Sequence, residues 1–431
     1  MTTRRLRSGL NEPAWAILIS VFVLYSIGLL CIYATEVSQA GTPTQTIKQV
    51  VNLLVGGAGA LIVLRIGYAW FARHAIAITA LAVLALVPLV FAQFVSFGSL
   101  IENRRGAYRW INLGIYSLQP SEFMKVAYII GLAAYLRYRR NYRTFVGLLV
   151  PLVASLVPML LILLEPDLGT VILMIPVLFV MLYAAGAHAK HLALVGLVGV
   201  CISPLLWHGM APYQRSRILG VLLQSERLRA KIIEEPEKYA FLATKQQAKG
   251  WTFNSGMQIT RSKAAVGSGN ITGNGWAGGT YVEYNFLPDK HNDFIFAIIG
   301  HQWGLVGCLV VLACYTVIIL AGVEIAAGTT DPFARLLCVG VVALIATQAS
   351  INVGMTIGLM PITGMTLPFV SYGGSSLLVN FLAVGLLISV SRRRPFLLAS
   401  RPFEYGATRA DSSAGRLAVL GAIRHASRSG D

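Results

Sequence analysis

The run NFLPDKHNDFIFAIIGHQWG, Asn285 to Gly304, carries Asp289, Lys290, His291, Asn292 and Asp293 straight into an apolar stretch. A carboxylate on that threshold has two readings. In the first, Asp293 caps a helix and accepts hydrogen bonds from the free N–H groups of its first turn. In the second it is a functional group, because carboxylates at membrane depth are costly and tend to be kept for function. Asn292 can take the cap and leave Asp293 for chemistry.

Other charged residues stand at similar thresholds. LQPSEFMKVAYI, Leu118 to Ile130, places Glu122 and Lys125 three apart, on one helical face, where they can pair. Such a pair is either a structural ion pair or part of an active-site wall. EPDLGT sets Glu165, Pro166 and Asp167 between two apolar runs. Asp167 can cap the following helix or present a second acid to the same cavity as Asp293. Arg215 and Arg217 in YQRSRI, Arg109 in GAYRWI, and Lys263 and Lys290 elsewhere supply cations. As a group they suit a diphosphate, which a guanidinium grips as a fork. Singly, each also fits simple attraction to anionic lipid. VGSGNITGNGW lacks the GxxxxGK pattern of a P-loop, and it reads as a flexible turn or an anion cradle. SYGGSS reads as close helix packing.

These residues need elements to hold them, and composition names the class. Of 431 residues, 56% are hydrophobic and only 12% charged, against about 25% charged in soluble domains. The chain is therefore expected to be an all-α polytopic membrane protein. About ten apolar runs are long enough to cross a hydrocarbon core of roughly 30 Å. They lie near 14–34, 48–65, 75–96, 120–136, 144–164, 169–186, 190–208, 293–322, 334–357 and 370–391. The first run is too long for a signal-peptide core and reads as a retained anchor. The net charge of +17 fits topogenic Lys and Arg rather than nucleic-acid binding. The five cysteines all fall in apolar runs, so neither disulfides nor a zinc site is suggested.

The positive-inside rule orients the chain. Arg4, Arg5 and Arg7, the loop RYRRNYR and the run SRRRP fall on one face, so both termini are expected in the cytoplasm. The expected organisation is a cytoplasmic segment 1–13, a transmembrane domain 14–391, and a basic, disordered tail 392–431. The outer face receives 97–119, Glu165 to Thr170, the long loop 209–292 between spans seven and eight, and Gly358 to Pro368. That long loop is expected to be partly helical, with a break at Pro236, either along the membrane surface or as a solvated lid.

Seven ordered motifs together resemble the SEDS family of polytopic glycan polymerases, the RodA and FtsW type. They are GAYRWINLG, LQPSEFMK, EPDLGT, YQRSRI, AAVGSGNITGNGW, FLPDKHNDFIFAIIG and GLMPITGMTLPFVSYGGSS, and they cover roughly residues 15–390. LPFVSYGGSS is closer to the RodA branch. The resemblance implies a peptidoglycan glycosyltransferase that polymerises lipid II at the outer face of the cytoplasmic (inner) membrane, serving elongation and cell shape. It maps the family's essential aspartate to Asp293, its Glu–Lys pair to Glu122 and Lys125, and its PDLGT aspartate to Asp167. A class B penicillin-binding protein, a single-span transpeptidase, is the implied partner. Two departures stand out. GHQWG, with His301 and Gln302, replaces an acidic pair, and HND replaces His-Thr-Asp. The stretch 219–262 diverges most.

The chemistry then assigns roles. A diphosphate leaving group needs positive charge more than a second carboxylate, so one base on the acceptor hydroxyl suffices. Asp293 is the expected base. Arg109, Arg215, Arg217 and Lys263 are expected to bind substrate, with Glu122, Lys125 and Asp167 shaping the cavity. A divalent cation, Mg or Mn, is an expected assistant, although no ligand set for it is readable. Two rival functions are a flippase for a lipid-linked precursor and a non-catalytic scaffold for a transpeptidase.

Overall fold

The computed structural model describes residues 10–38, 42–95, 98–101, 103, 107–114, 116–138, 144–283, 286–287 and 291–392. Lys290, the basic clusters at Arg4 to Arg7 and 139–143, and the tail from 393 lie outside the described residues. The described residues are mainly helical: α1 (Glu12–Val37), α2 (Thr44–Ile66), α3 (Tyr68–Arg73) and α4 (Ala75–Phe91) come first. A two-stranded antiparallel hairpin follows, β1 (Ile111–Asn112) with β2 (Ser117–Leu118). Next are α5 (Pro120–Leu136), α6 (Phe145–Leu164), α7 (Leu168–Ala185) and α8 (Ala189–Gly209). The long loop contains α9 (Pro212–Leu222), α10 (Glu226–Glu234), α11 (Lys245–Lys249), α12 (Met257–Ser268) and α13 (Thr280–Glu283). The chain closes with α14 (Ile295–Ala327), α15 (Pro332–Thr356) and α16 (Gly374–Ser391).

Each of the ten apolar runs is a helix. Among the described residues α1, α2, α6, α7, α14, α15 and α16 are long and apolar enough to cross a membrane. The α4 and α8 helices are apolar but offer shorter apolar stretches, and α5, at 17 residues, is mostly buried. In the most apolar stretch of α16, 78% of residues are buried, and 72% in α15, against 22% in α2. The centre of the bundle is therefore α15 and α16, wrapped by α2, α5, α7 and α14. Inside a bundle surrounded by lipid, polar groups gain most by finding protein partners. Gln348 accordingly donates to the Thr366 carbonyl at 2.9 Å, and Gln49 to the Ser371 carbonyl at 3.1 Å.

The long loop has a small core of its own. Leu219, Leu223, Ile232, Ala243, Ala248 and Trp251 are buried together, and the Trp251 indole donates to the Gly220 carbonyl at 3.0 Å. Ser225 caps α10 through Leu228 N, and Thr244 caps α11 in a capping box with Gln247. The expected break at Pro236 is present, since α10 ends at Glu234.

The α14 helix is interrupted. Its 33 residues would span about 50 Å as one helix, but Gly304 turns to φ 62° and ψ −154° and breaks the ladder. The glycine-rich segment repairs the gap. Asn274 N and Gly275 N donate to the orphaned carbonyls of His301 (3.0 Å) and Gln302 (3.1 Å). Leu305 N and Val306 N donate in turn to the carbonyls of Asn270 (2.9 Å) and Ile271 (3.2 Å). Backbone can approach backbone this closely only without Cβ atoms, and a Cβ on Gly273 would collide with the Gln302 carbonyl. The segment is therefore a plug for a broken helix. The N–H groups of Asn274 and Gly275, which an anion cradle would need, are already in use. His301 belongs to the same joint, its Nδ1 lying 2.6 Å from Ser268 Oγ and 3.1 Å from Asn274 Nδ2.

The plug makes Gly304 intolerant of a side chain. A Cβ there would stand 2.5 Å from Gly273 N and Ile271 O, on a left-handed backbone. Gly304→Ala should lower stability by on the order of 2 kcal/mol, read as a reduced apparent Tm of the detergent-purified protein. Gly57→Ala on α2, with open space around its Cβ, should not lower it.

Candidate functional site

Three consecutive carbonyls ahead of α14 are each held by a different donor. The His291 carbonyl accepts Tyr372 N at 2.9 Å. That of Asn292 accepts Ser371 Oγ at 2.6 Å, and that of Asp293 accepts Asn352 Nδ2 at 3.0 Å. Asn352 also donates to the Met365 carbonyl at 2.6 Å. The His291 ring sits 2.9 Å from the Thr35 hydroxyl of α1. Peptide 291–293 is thus fixed by α1, α15 and the segment before α16. The α14 N-cap is Phe294, which makes no side-chain cap bond, so neither Asn292 nor Asp293 occupies the cap.

The Asp293 side chain is half-buried and faces Gly364. A Cβ built on Gly364 would stand 3.7 Å from Asp293 Oδ2, and 3.8 and 3.9 Å from the two terminal nitrogens of Arg217. Carboxylate and guanidinium therefore converge on one bare position in GLMPITGMTLP, where the backbone takes φ +76°. Arg217 is anchored by Nη1 to the Thr363 carbonyl at 2.8 Å. Burial, then the like charge of Arg109, lowers its pKa, while Asp293, Asp167 and Tyr213 pull it back up. Tyr213, one turn earlier on α9, has its phenol pKa raised by burial, against the pull of Gln214, Arg109 and Arg217.

Arg109 completes the group. Its Nε donates to the Glu165 carbonyl at 2.8 Å, and Nη2 donates to the Pro166 carbonyl. The arginine therefore staples the segment leading into β1, 107–110, to the α6–α7 connector. Asp167 caps α7 through Thr170 N (3.4 Å) and Thr170 Oγ1 (2.9 Å). It also accepts from Ser121 Oγ (3.0 Å) and Gln119 Nε2 (3.3 Å), tying α5 to α7. The capping reading of Asp167 holds, and its charge still reaches Arg217. Glu165 beside it is fully buried. Burial, then the Asp167 charge, pushes its pKa up to about 9 against the pull of Arg109.

Not every residue expected at the site joins this group. Arg215 and Arg217 are two apart on α9, so they point about 200° from each other around the helix. Arg215 turns back to α8, donating to the His208 carbonyl at 2.6 Å with its guanidinium 6.0 Å from the Trp207 ring. Lys263 is exposed on α12, its ammonium 3.3 Å from Gln224 Oε1, and Gln224 in turn donates to the Gly358 carbonyl at 2.7 Å. Glu122 and Lys125 form their i,i+3 pair at 2.7 Å on α5, with side chains 12% and 3% exposed. No described hydrogen bond or ion pair links that pair to Asp293 or Arg217.

Sequence reasoning missed Asn352, Ser371 and Tyr372 as supports of Asp293. A polar Asn in an apolar helix was their one visible signal. Among the described residues no group of three or more His, Cys, Asp or Glu is gathered to hold a metal ion. Asp167 already accepts four hydrogen bonds, from the Thr170, Ser121 and Gln119 side chains and from Thr170 N, so its oxygens are committed to protein donors.

Comparison with known proteins fits this frame. The family model for FtsW, RodA and SpoVE, described as cell cycle proteins, matches residues 14–395. Stage V sporulation protein E of Bacillus subtilis is 32% identical over 405 residues, covering 91% of this chain and 99% of the relative. A probable peptidoglycan glycosyltransferase FtsW of Geobacter metallireducens is 33% identical over 386 residues (86% and 94%). The peptidoglycan glycosyltransferase MrdB of Escherichia coli is 32% identical over 321 residues (74% and 79%). Identity therefore does not favour one branch. Among solved structures, a chain of a peptidoglycan synthase complex that coordinates polymerization and crosslinking superposes with TM-score 0.68 at 25% identity, covering 88% of this chain and 97% of that one. The rod shape determining protein RodA of Thermus thermophilus shares the fold, with TM-score 0.60 at 22% identity over 88% of this chain and 97% of its own.

Asn352 is the support most open to test, because one amide holds two carbonyls. Asn352→Ala leaves the buried Met365 carbonyl and the part-buried Asp293 carbonyl without this donor, at roughly 1–3 kcal/mol for the buried one. The purified variant should lose about that much stability in thermal unfolding, whereas Gln224→Ala at the periphery should lose under half as much.

Proposed function

The chain belongs to the FtsW, RodA and SpoVE family and is a glycosyltransferase; from that premise we propose that it polymerises lipid II into glycan strands at the outer face of the cytoplasmic membrane. The observation that carries the proposal is that Asp293 Oδ2 and both terminal nitrogens of Arg217 lie within 4 Å of the place a Cβ on Gly364 would take, with Asp293 and Arg109 both close enough to act on the charge of Arg217. A base for an acceptor hydroxyl thus stands beside cations for a departing diphosphate.

The reaction joins an acceptor sugar hydroxyl to the anomeric carbon of a donor sugar, and the C–O bond to the polyprenyl diphosphate breaks. Asp293 takes the hydroxyl proton as the new bond forms. Arg217 and Arg109 stabilise the charge that builds on the leaving diphosphate. When the diphosphate arrives it competes for Arg217, leaving the Asp293 oxygens to the acceptor. Pinning the 291–293 carbonyls keeps the carboxylate from wandering, and small errors of placement are expensive in such a step. Asp167 and the Glu122–Lys125 pair act as walls, holding α5 and α7 in place. Arg215 and Lys263 line the approach rather than the reacting group. A divalent cation, Mg or Mn, fits only as a companion of the substrate's diphosphate, since Mg²⁺ is commonly held through substrate phosphates and few carboxylates. No step is assigned to it.

Two further readings complete the proposal. The partner is a class B penicillin-binding protein, supported by the synthase complex in which a chain of this fold occurs. The role is elongation and cell shape, with both termini cytoplasmic, supported by LPFVSYGGSS and by the basic runs on one face.

Purified protein in lipid nanodiscs, given lipid II, should make glycan chains. Asp293→Asn should fold normally and lose about 10²–10⁴-fold in rate. Lipid II translocated with no chains formed would overturn the reading in favour of a flippase, and full polymerisation by Asp293→Asn would remove the base. Arg217→Gln should raise KM for lipid II by roughly 10–100-fold, the worth of a charged hydrogen bond of about 1.5–3 kcal/mol. An unchanged KM would reject its contact with the diphosphate.

A further inference from the structure

The α6–α7 connector contains an acid that the proposed reaction does not use. Glu165 is 0% exposed, and neither carboxyl oxygen has a hydrogen-bond partner. Arg109 is its immediate neighbour, yet the guanidinium binds the backbone of Glu165 and Pro166 and not the carboxyl. The charged groups facing Glu165 are Asp167, from the cap of α7, and Arg109, from segment 107–110.

An arrangement built for an ion pair would look different. A buried carboxylate beside an arginine normally draws the fork onto its two oxygens. Here Asp167, saturated by Thr170, Ser121 and Gln119, already holds the negative charge of the connector. A second buried carboxylate next to it has no donor to stabilise it, so the proton stays on Glu165. The charge at the site then balances, with Arg109 and Arg217 set against Asp167 and Asp293. An ionised Glu165 would tip the balance to net negative and repel an incoming anion.

We propose that Glu165 is a positioning residue that works as a neutral acid: it lies buried beside Arg109 without claiming the guanidinium's charge, which is thereby left for the diphosphate of a lipid-linked sugar. The inference deepens the proposed function and rests on that reading of the site. It implies an alkaline ceiling. Once Glu165 loses its proton, at a pH near 9, its carboxylate competes for Arg109 and the substrate binds less tightly. The sign follows from a raised pKa on an acid: the neutral, binding-competent form prevails below about 9 and is lost above it.

The test uses the full chain in nanodiscs with lipid II, and follows KM and kcat from about pH 7 to about pH 10, a window that brackets the titration. In the wild-type protein KM should rise several-fold across the upper part of that window, with kcat changing less. Glu165→Ala leaves a buried void beside Arg109 and should raise KM several-fold at every pH. Glu165→Gln, an uncharged isostere, should rescue the neutral-pH KM lost in Glu165→Ala and abolish the alkaline rise. A merely structural role would not remove that rise. Infrared spectroscopy supplies a readout independent of activity: the carbonyl stretch of a protonated carboxylic acid, present at pH 7 in the wild type, should be missing from Glu165→Gln. An alkaline rise that persists in Glu165→Gln, failure of Glu165→Gln to rescue, or a wild-type spectrum that Glu165→Gln leaves unchanged at pH 7 would each overturn the inference. Absence of chains from the wild type at every pH, with the infrared difference intact, would instead count against the proposed function.

Discussion

Charge at the edge of a lipid bilayer is tolerated only where it is answered by other charge or by hydrogen bonds. Asp293 and Arg217, which converge on Gly364 and act on one another's charge, meet that condition. Gly364 is the hinge of the arrangement, because any side chain there would occupy the place where both groups converge.

The rest of the molecule can be understood as the means of holding that pair. Asp293 lies on a segment that is not itself helical, and its precision comes from donors on α15 and the SYGG turn. The helix that follows is broken at Gly304, and the glycine-rich segment satisfies the broken ends. On the other side, Arg109 and Asp167 tie the hairpin region, α5 and α7 into one wall. Helices at the bundle's centre therefore do more than exclude water. Their few polar side chains, Gln348 and Asn352 among them, fasten the irregular segments on which the charges sit.

Much of this was legible in the sequence, because membrane burial writes a coarse and strong signal. All ten apolar runs became helices, and Asp293, Arg217, Arg109 and Asp167 came together from four motifs that are far apart in the chain. What escaped was geometry that depends on tertiary partners. Arg215 and Arg217 look equivalent in YQRSRI, and only the helical spacing of α9 sends them to opposite sides. The glycine run reads as a turn or an anion cradle until the break in α14 is known, since nothing local says whose carbonyls its N–H groups will meet. Asn352 sits in an apolar run with no motif of its own. Glu165 reads like any carboxylate of a turn, because protonation is decided by burial and by neighbours that sequence does not show.

The central claim is that positions 293 and 217 act on one another at a shared substrate site, and a double-mutant cycle read as lipid II binding by the purified protein tests it most directly. The account predicts a coupling of about 1 kcal/mol or more, with Asp293→Asn tightening binding while Arg217 is present and having no effect once Arg217 is replaced by Gln. Strictly additive effects of the two substitutions would contradict it.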